Sequence, residues 1–403
     1  MRNNRVLIVV NSVYQLFTAV HIRRTVLEDR DVDLLLTDVL PQGEDYLPRL
    51  EDTGLFERVL FARTRELNQT YAGAGGEKLS EGFRDIPKRF RWILSDELTY
   101  YVEIYFSNFD PFLRMLACQY YTLPCEFVCY EDGFSSYVID YLREDRAAIN
   151  RHPEGQKIRD KVESVFLYEP RLAVREDGLV NRRLPKIKRE DQELRTLFNY
   201  IFDYQSPEED ADFLFLEQSF RAEGLETNDV ELMKLCQETV GAGRFVVKPH
   251  PRNPENIPFQ LGLTRKYSNS APWELYLLNE DMKDKTILTV CSNAALTGRI
   301  VFRMDIPTVM LYPLFEGKVL WKEDALLRRY LRKFQRQFAG ENYYVPQTTY
   351  ELKHILTYLG GRHERSSKGF CDYSSVPGGE LSGAGGGFRF GADAGRERNY
   401  IGG

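Results

Sequence analysis

Long apolar runs are missing from this chain of 403 residues. No stretch approaches the about 18 consecutive apolar residues of a membrane span. The first apolar run, Val6 to Val10, is too short for the core of a secretory signal. Paired-cysteine signatures are missing as well. Cys118, Cys125, Cys129, Cys236, Cys291 and Cys371 form no C-x-x-C pair and no Cys/His ladder at zinc spacing. Reduced thiols in a cytoplasmic protein are therefore expected, and no metal site. Positive charge is in deficit: 54 Lys and Arg against 60 Asp and Glu give −6. That excludes a global electrostatic grip on nucleic acid, so any phosphate must be held locally. No internal repeat is found. The cluster Gly73–Gly76 follows no predicted strand and lacks G-x-G-x-x-G spacing, so it reads as a loop.

What is present fits a large globular protein. Hydrophobic residues at 43% and charged residues at 28% lie near ordinary averages, and the length suggests two domains. Strands alternate with helical stretches. Arg5–Val10 reads as a buried parallel strand, and Val13–Leu27 as a helix whose apolar stripe Arg24 interrupts. Asp33–Leu36, Glu103–Phe106 and Cys125–Tyr130 read as further strands, with a helix from Pro111 through Tyr121. Val180–Glu193, with Pro185 and mixed charge, reads as a linker. Beyond it Asp212–Glu217, Arg244–Lys248, Thr286–Val290 and Thr308–Leu311 read as strands, and Asp229–Val240 as a helix. The β-α-β rhythm predicts an α/β protein: two doubly wound domains, 1–179 and 194–360, facing across a cleft. In such sheets ligands bind beyond the carboxyl ends of the strands. From Gly361 to 403 the composition turns Gly-rich and is expected to be a disordered tail.

Three constellations fall at predicted strand ends. Glu131-Asp132-Gly133 offers a carboxylate as general base, or else a turn in which Asp132 caps the helix starting near Phe134. Lys248-Pro249-His250-Pro251 holds a His on stiff backbone beside Lys248 and Arg252. It suits a phosphate oxygen or a leaving group, or else a turn whose His bonds a neighbouring carbonyl. Cys291-Ser292-Asn293-Ala294 opens the predicted helix Ala294–Phe302, and is either an anion site or an ordinary N-cap. No G-x-S-x-G surrounds Ser292, which argues against a hydrolase nucleophile. Arg328, Arg329, Arg332, Lys333 and Arg336 accompany Leu327, Tyr330, Leu331, Phe334 and Phe338 at helical spacing. This basic amphipathic helix either packs on its own domain or touches an anionic membrane.

Taken together, in order and spacing, the three constellations resemble the bacterial sialyltransferases, including glycosyltransferase family 52 and the related polysialyltransferases. That group combines a D/E-D/E-G motif, an HP motif and a later Ser/Thr motif. The resemblance extends to Asn11-Ser12-Val13-Tyr14-Gln15-Leu16 and Ile104-Tyr105-Phe106-Ser107-Asn108, and covers roughly residues 1–355. It implies a GT-B fold of two Rossmann-like domains. The first would lie on the acceptor side and the second would bind the nucleotide sugar.

The resemblance further implies roles. Asp132 matches the general base on the acceptor hydroxyl, and His250 the histidine that contacts the donor phosphate and assists departure of CMP. Ser292 matches the hydroxyl bound to that phosphate, and Glu274 an acid that hydrogen-bonds the cytidine ribose. Asn11, Gln15, Glu131, Gly133, Lys248, Pro251 and Asn293 complete the expected binding residues, with no metal and no cofactor. The expected activity is inverting, metal-independent transfer of sialic acid from CMP-sialic acid to a lipooligosaccharide or capsule-type glycan. Pro249 and Asn293 depart from the common pattern, and Lys-Pro-His-Pro is also similar to capsule enzymes that use CMP-activated Kdo. Transfer from CMP-Kdo or CDP-glycerol, a nucleotide-sugar epimerase and a non-catalytic nucleotide-sugar-binding protein stay open. So do a homodimer and peripheral contact with the inner membrane face through the helix around Arg329.

Overall fold

Val6–Val10 are each at most 2% exposed, the mark of an interior parallel strand covered on both faces. In the computed structural model, which describes residues 4–207, 211–250, 252, 253, 255–263, 272–317 and 325–367, this strand (β1, Arg5–Val10) lies in the interior of a parallel sheet of seven. Its other members are β2 (Asp31–Thr37), β3 (Arg58–Ala62), β4 (Glu103–Phe106), β5 (Glu126–Tyr130), β6 (Val162–Leu167) and β7 (Val180–Arg183), in the order β3-β2-β1-β4-β5-β6-β7. A second parallel sheet contains β8 (Phe213–Leu216), β9 (Phe245–Lys248), β10 (Thr286–Thr289), β11 (Thr308–Met310) and β12 (Tyr343–Tyr344), in the order β12-β11-β10-β8-β9. These two doubly wound α/β domains have the GT-B architecture.

The strand order reverses between β1 and β4 in the first sheet and between β8 and β10 in the second. At each switch point the loops leaving neighbouring strands diverge and open a crevice. The loops after β1, β4 and β5, and those after β8, β9 and β10, therefore frame the candidate site.

The helix Val13–Thr25 joins the two halves. Ser12 starts it in extended conformation and accepts a hydrogen bond from the Gln15 amide at 3.2 Å. Every residue from Gln15 to Ile22 is buried, so no single apolar stripe is needed and the amphipathic signal vanishes. Phe17 stacks on Phe198 of the helix Gln192–Phe202 at 4.3 Å between centroids and lies 6.4 Å from Phe302. Burying one such ring contributes about 1.5–3 kcal/mol.

Two sequence boundaries are corrected. Val180–Arg183 belongs to the first sheet as β7 rather than to a linker; all four residues are exposed at its edge, so the strand carries no apolar signature. The connection that follows is tied to the second domain: Ile187 donates its amide to the Val301 carbonyl at 3.1 Å, and Lys186 donates to that of Ile300. The tail does not begin at Gly361, because the helix Thr349–Ser367 runs through it. Leu352, Leu356 and Leu359 bury its face in the core of the second domain, and Arg244 donates to the Gly360 carbonyl at 3.0 Å. Residues 368–403 lie outside the described residues.

The helix Ala325–Gln337 packs against protein: Leu327, Tyr330, Leu331 and Phe334 are buried, Lys333 donates to the Ala173 carbonyl at 3.0 Å, and Arg329 pairs with Glu176 at 3.2 Å. No helix among the described residues is long and apolar enough to cross a membrane.

Candidate functional site

The two carboxylates at the end of β5 part company. Glu131 turns into the core of the first domain, 1% exposed, and accepts from the Tyr14 hydroxyl at 3.0 Å, the Tyr168 amide at 2.7 Å and the Tyr137 hydroxyl. Burial pushes its carboxyl up to about 7. With both oxygens engaged internally, Glu131 is an anchor of the fold rather than the substrate contact expected. Asp132 turns to the switch-point crevice instead. It accepts from Gln15 Nε2 at 2.9 Å and from the Ser12 hydroxyl at 3.4 Å. Its two oxygens are thus taken by Gln15 and Ser12 rather than by an amide of the short helix Ser135–Val138. The capping alternative for Asp132 is thereby removed.

A polar relay holds that carboxylate. Gln15, 1% exposed, accepts the Asn11 amide at 2.7 Å through Oε1 and donates Nε2 to Asn108 and Asp132. Asn11, 5% exposed, accepts from the Thr37 hydroxyl at 2.8 Å and donates to Asp110 at 3.0 Å. These are residues from the ends of β1, β2, β4 and β5, gathered by strand order. Burial raises the Asp132 carboxyl, and the bonds from Gln15 and Ser12 oppose that shift. Asn11 and Gln15, expected at the substrate, are buried as supports of Asp132.

Gln15→Met is therefore expected to raise the Asp132 pKa further, by removing a donor to the ionised form. An activity that needs the ionised carboxylate would then have its acidic limb displaced to higher pH. The comparison of pH–rate profiles checks this; an unmoved limb with lower activity throughout would reduce Gln15 to a structural role.

Across the crevice the second domain supplies cationic and donor groups. His250, after β9, donates its amide to Glu217 Oε2 at 2.8 Å, and its Nδ1 accepts the Arg252 amide at 3.2 Å. That pattern assigns the proton of the neutral ring to Nε2, as a donor. Among the described residues the ring is bonded to no neighbouring carbonyl. Burial, helped by the Arg252 and Lys248 charges, lowers its pKa to about 4. Lys248, half-buried, is lowered by its burial to about 8, and the Glu274 charge opposes the shift. Glu274 lies in the first turn of the helix Trp273–Asn279, 7% exposed, with its carboxyl raised by burial to about 7 and drawn back by Lys248. Pro251 lies outside the described residues.

Ser292 Oγ accepts the Ala294 amide at 3.3 Å, while the N-cap of the helix Ala294–Phe302 is Asn293, whose side chain makes no capping bond. Accepting leaves its proton to donate, and the helix N-terminus adds positive potential. Asn293 receives the Tyr330 hydroxyl at 3.0 Å, and a Cβ built on Gly133 would lie 3.9 Å from its Nδ2. Gly133 has φ +67°, which glycine alone adopts without strain. The turn after β5 and the turn after β10 thus meet across the crevice, with Gly133 beside Asn293.

Sequence reasoning passed over Glu217, which is 3% exposed. It receives both the His250 amide and Asn253 Nδ2, the latter at 2.7 Å, and pairs with Arg221. It directly follows β8, so the carboxyl-end rule applied to every strand would have found it. Gln218 beside it accepts the Cys291 amide at 2.7 Å and fixes the turn bearing Ser292. Among the described residues no three His, Cys, Asp or Glu side chains gather as metal ligands. The five described cysteines are unpaired thiols.

No protein-family profile matches the chain, and no curated protein does. Solved structures are similar along most of the chain. The glycotransferase of kitacinnamycin is 10% identical, with 91% of this chain and 94% of that one covered and a TM-score of 0.48. An α/β-galactoside α-2,3-sialyltransferase from the luminous marine bacterium Photobacterium phosphoreum is 9% identical, with 86% and 99% covered and a TM-score of 0.45. The UDP-GlcNAc 2-epimerase of Methanocaldococcus jannaschii, in complex with UDP-GlcNAc and UDP, is 12% identical, with 90% and 98% covered and a TM-score of 0.44. Likeness at this level leaves function to be argued from the chain's own residues.

Proposed function

We propose that this protein is an inverting, metal-independent glycosyltransferase that moves sialic acid from CMP-sialic acid to a lipooligosaccharide or capsule-type glycan acceptor at the cytoplasmic face of the membrane. The observation that carries the reading is the pairing across one crevice of a half-buried carboxylate, Asp132, held by Gln15 and Ser12, with the donor-bearing turn at Ser292 and Asn293. A single displacement requires this division of labour. Asp132 takes the proton from the acceptor hydroxyl as the new glycosidic bond forms. The bond from the donor sugar to the CMP phosphate breaks on the opposite face, so the anomeric configuration inverts. The phosphate leaves with its charge received by Nε2–H of His250, the Ser292 hydroxyl, the helix N-terminus and Lys248. A dianionic leaving group would also draw the His250 pKa upward, favouring proton donation to it. Enclosure between the domains excludes water, which would otherwise hydrolyse the donor.

Transfer from CMP-Kdo is the second reading, favoured by the Lys248-Pro249-His250-Pro251 run. Incubation with CMP-sialic acid or CMP-Kdo, each with and without a galactose-terminated glycan, separates the possibilities. CMP release that requires acceptor and is specific for CMP-sialic acid is the expected result. Turnover without acceptor points to an epimerase or hydrolase, and binding without turnover to a nucleotide-sugar-binding protein. Either would overturn the transferase reading.

A further inference from the structure

Trp92 is 81% exposed, the most exposed large apolar residue described in the chain. It lies in the helix Ile86–Ile93, which turns Ile86 and Phe90 inward; Phe90 packs on Phe112 with ring centroids 5.3 Å apart. Lys88, Arg91 and Trp92 are spaced three and four residues apart, which puts them on one helical face, and all three are exposed. Exposed Arg84 precedes the helix, and exposed Arg63 follows the neighbouring strand, its amide bonded to the Ile93 carbonyl at 2.8 Å. The helix contains no acid. Asp85 stands at its start, and Glu81 draws Arg89 back, with 3.9 Å between the charged groups. The remaining cations face outward from a protein whose net charge is −6.

We propose that this face docks on an anionic lipid bilayer. An indole ring with a polar N–H suits the headgroup zone, where one end is apolar and the other wet, and flanking Lys and Arg meet lipid phosphates. A bare tryptophan among cations has no such complement in water. The helix Ala325–Gln337 is as basic, but its apolar residues are buried against protein, so it offers a bilayer charge without an apolar insert. The helix Pro111–Gln119, on which Phe90 packs, also walls a cavity of about 460 Å³ bordered by Asn68, Gln69, Phe109, Tyr141 and Arg146. The docking face and this cavity therefore share the helix Pro111–Gln119 of the first domain. The inference is independent of the transferase reading, since vesicle binding requires no turnover.

The test is co-sedimentation of the full chain with vesicles of phosphatidylcholine, with and without phosphatidylglycerol. The wild type is expected to sediment only with the anionic vesicles and to be released by high salt. The double variant Lys88→Glu/Arg91→Glu should lose about tenfold or more of its partitioning. Trp92→Phe should abolish the blue shift of tryptophan emission on vesicle addition, and Arg328→Glu/Arg332→Glu should bind as wild type. All these positions are exposed, and unchanged thermal midpoints would verify folding. A wild type that stays in the supernatant with anionic vesicles overturns the proposal, and an acidic protein partner would then be the occupant to seek. So does binding that survives Lys88→Glu/Arg91→Glu but fails in Arg328→Glu/Arg332→Glu.

Discussion

Asp132→Asn is expected to lower turnover by about 10²–10⁴-fold, the usual contribution of a positioned general base. The substitution keeps the side chain's shape and one acceptor oxygen. Gln15 Nε2, now 2.9 Å from Oδ2, can still donate to the remaining carbonyl oxygen. The amide nitrogen then faces the Ser12 hydroxyl, 3.4 Å away, which can accept. Neither neighbour is left without a partner, so folding and nucleotide affinity should persist while the proton acceptor is gone. Steady-state kinetics with the thermal midpoint in parallel measure this. A loss below about tenfold would exclude Asp132 as the base.

His250→Ala is expected to lower turnover by about 10²–10³-fold, the scale seen when one donor to developing charge is removed. Here binding should weaken too, because the same Nε2–H is proposed to contact the phosphate before and after the bond breaks. The loop should survive, since the contact to Glu217 uses the His250 backbone amide. His250→Gln places an amide donor in the same region and should recover part of the affinity but little of the rate. Recovery of both would mean that proton donation by the imidazole is not required.

Much of this site was legible in the sequence because it obeys one rule, that polar residues at the carboxyl ends of parallel strands face the ligand. β4 at Glu103–Phe106 and the helices Asp229–Val240 and Ala294–Phe302 match their expected spans. Each is a short buried run or a periodic one, closed by turn residues. The edge strand β7 escaped notice because solvent covers its residues. The strands β3 and β6 fell between polar segments and were also passed over. The roles of Glu131, Asn11 and Gln15 could not be read from spacing. Whether a strand-end carboxylate faces core or crevice depends on which way one side chain leaves the turn, and on distant donors such as Tyr14 and Tyr168. Glu217 was missed because its partner His250 is 33 residues away and meets it only through the pairing of β8 with β9.

The most direct measurement is a calorimetric titration with CMP, CDP, UDP and GDP, without added metal, of the wild type, Asp132→Asn and His250→Ala. The account predicts that CMP binds the wild type in preference to the others, binds Asp132→Asn equally well, and binds His250→Ala about tenfold or more weakly, in line with the loss of a charge-assisted hydrogen bond. Preference for UDP or GDP would contradict the donor assignment. Equal binding of CMP to wild type and His250→Ala, or no binding of any nucleotide, would contradict the claim that the crevice between the two sheets holds a nucleotide phosphate at His250.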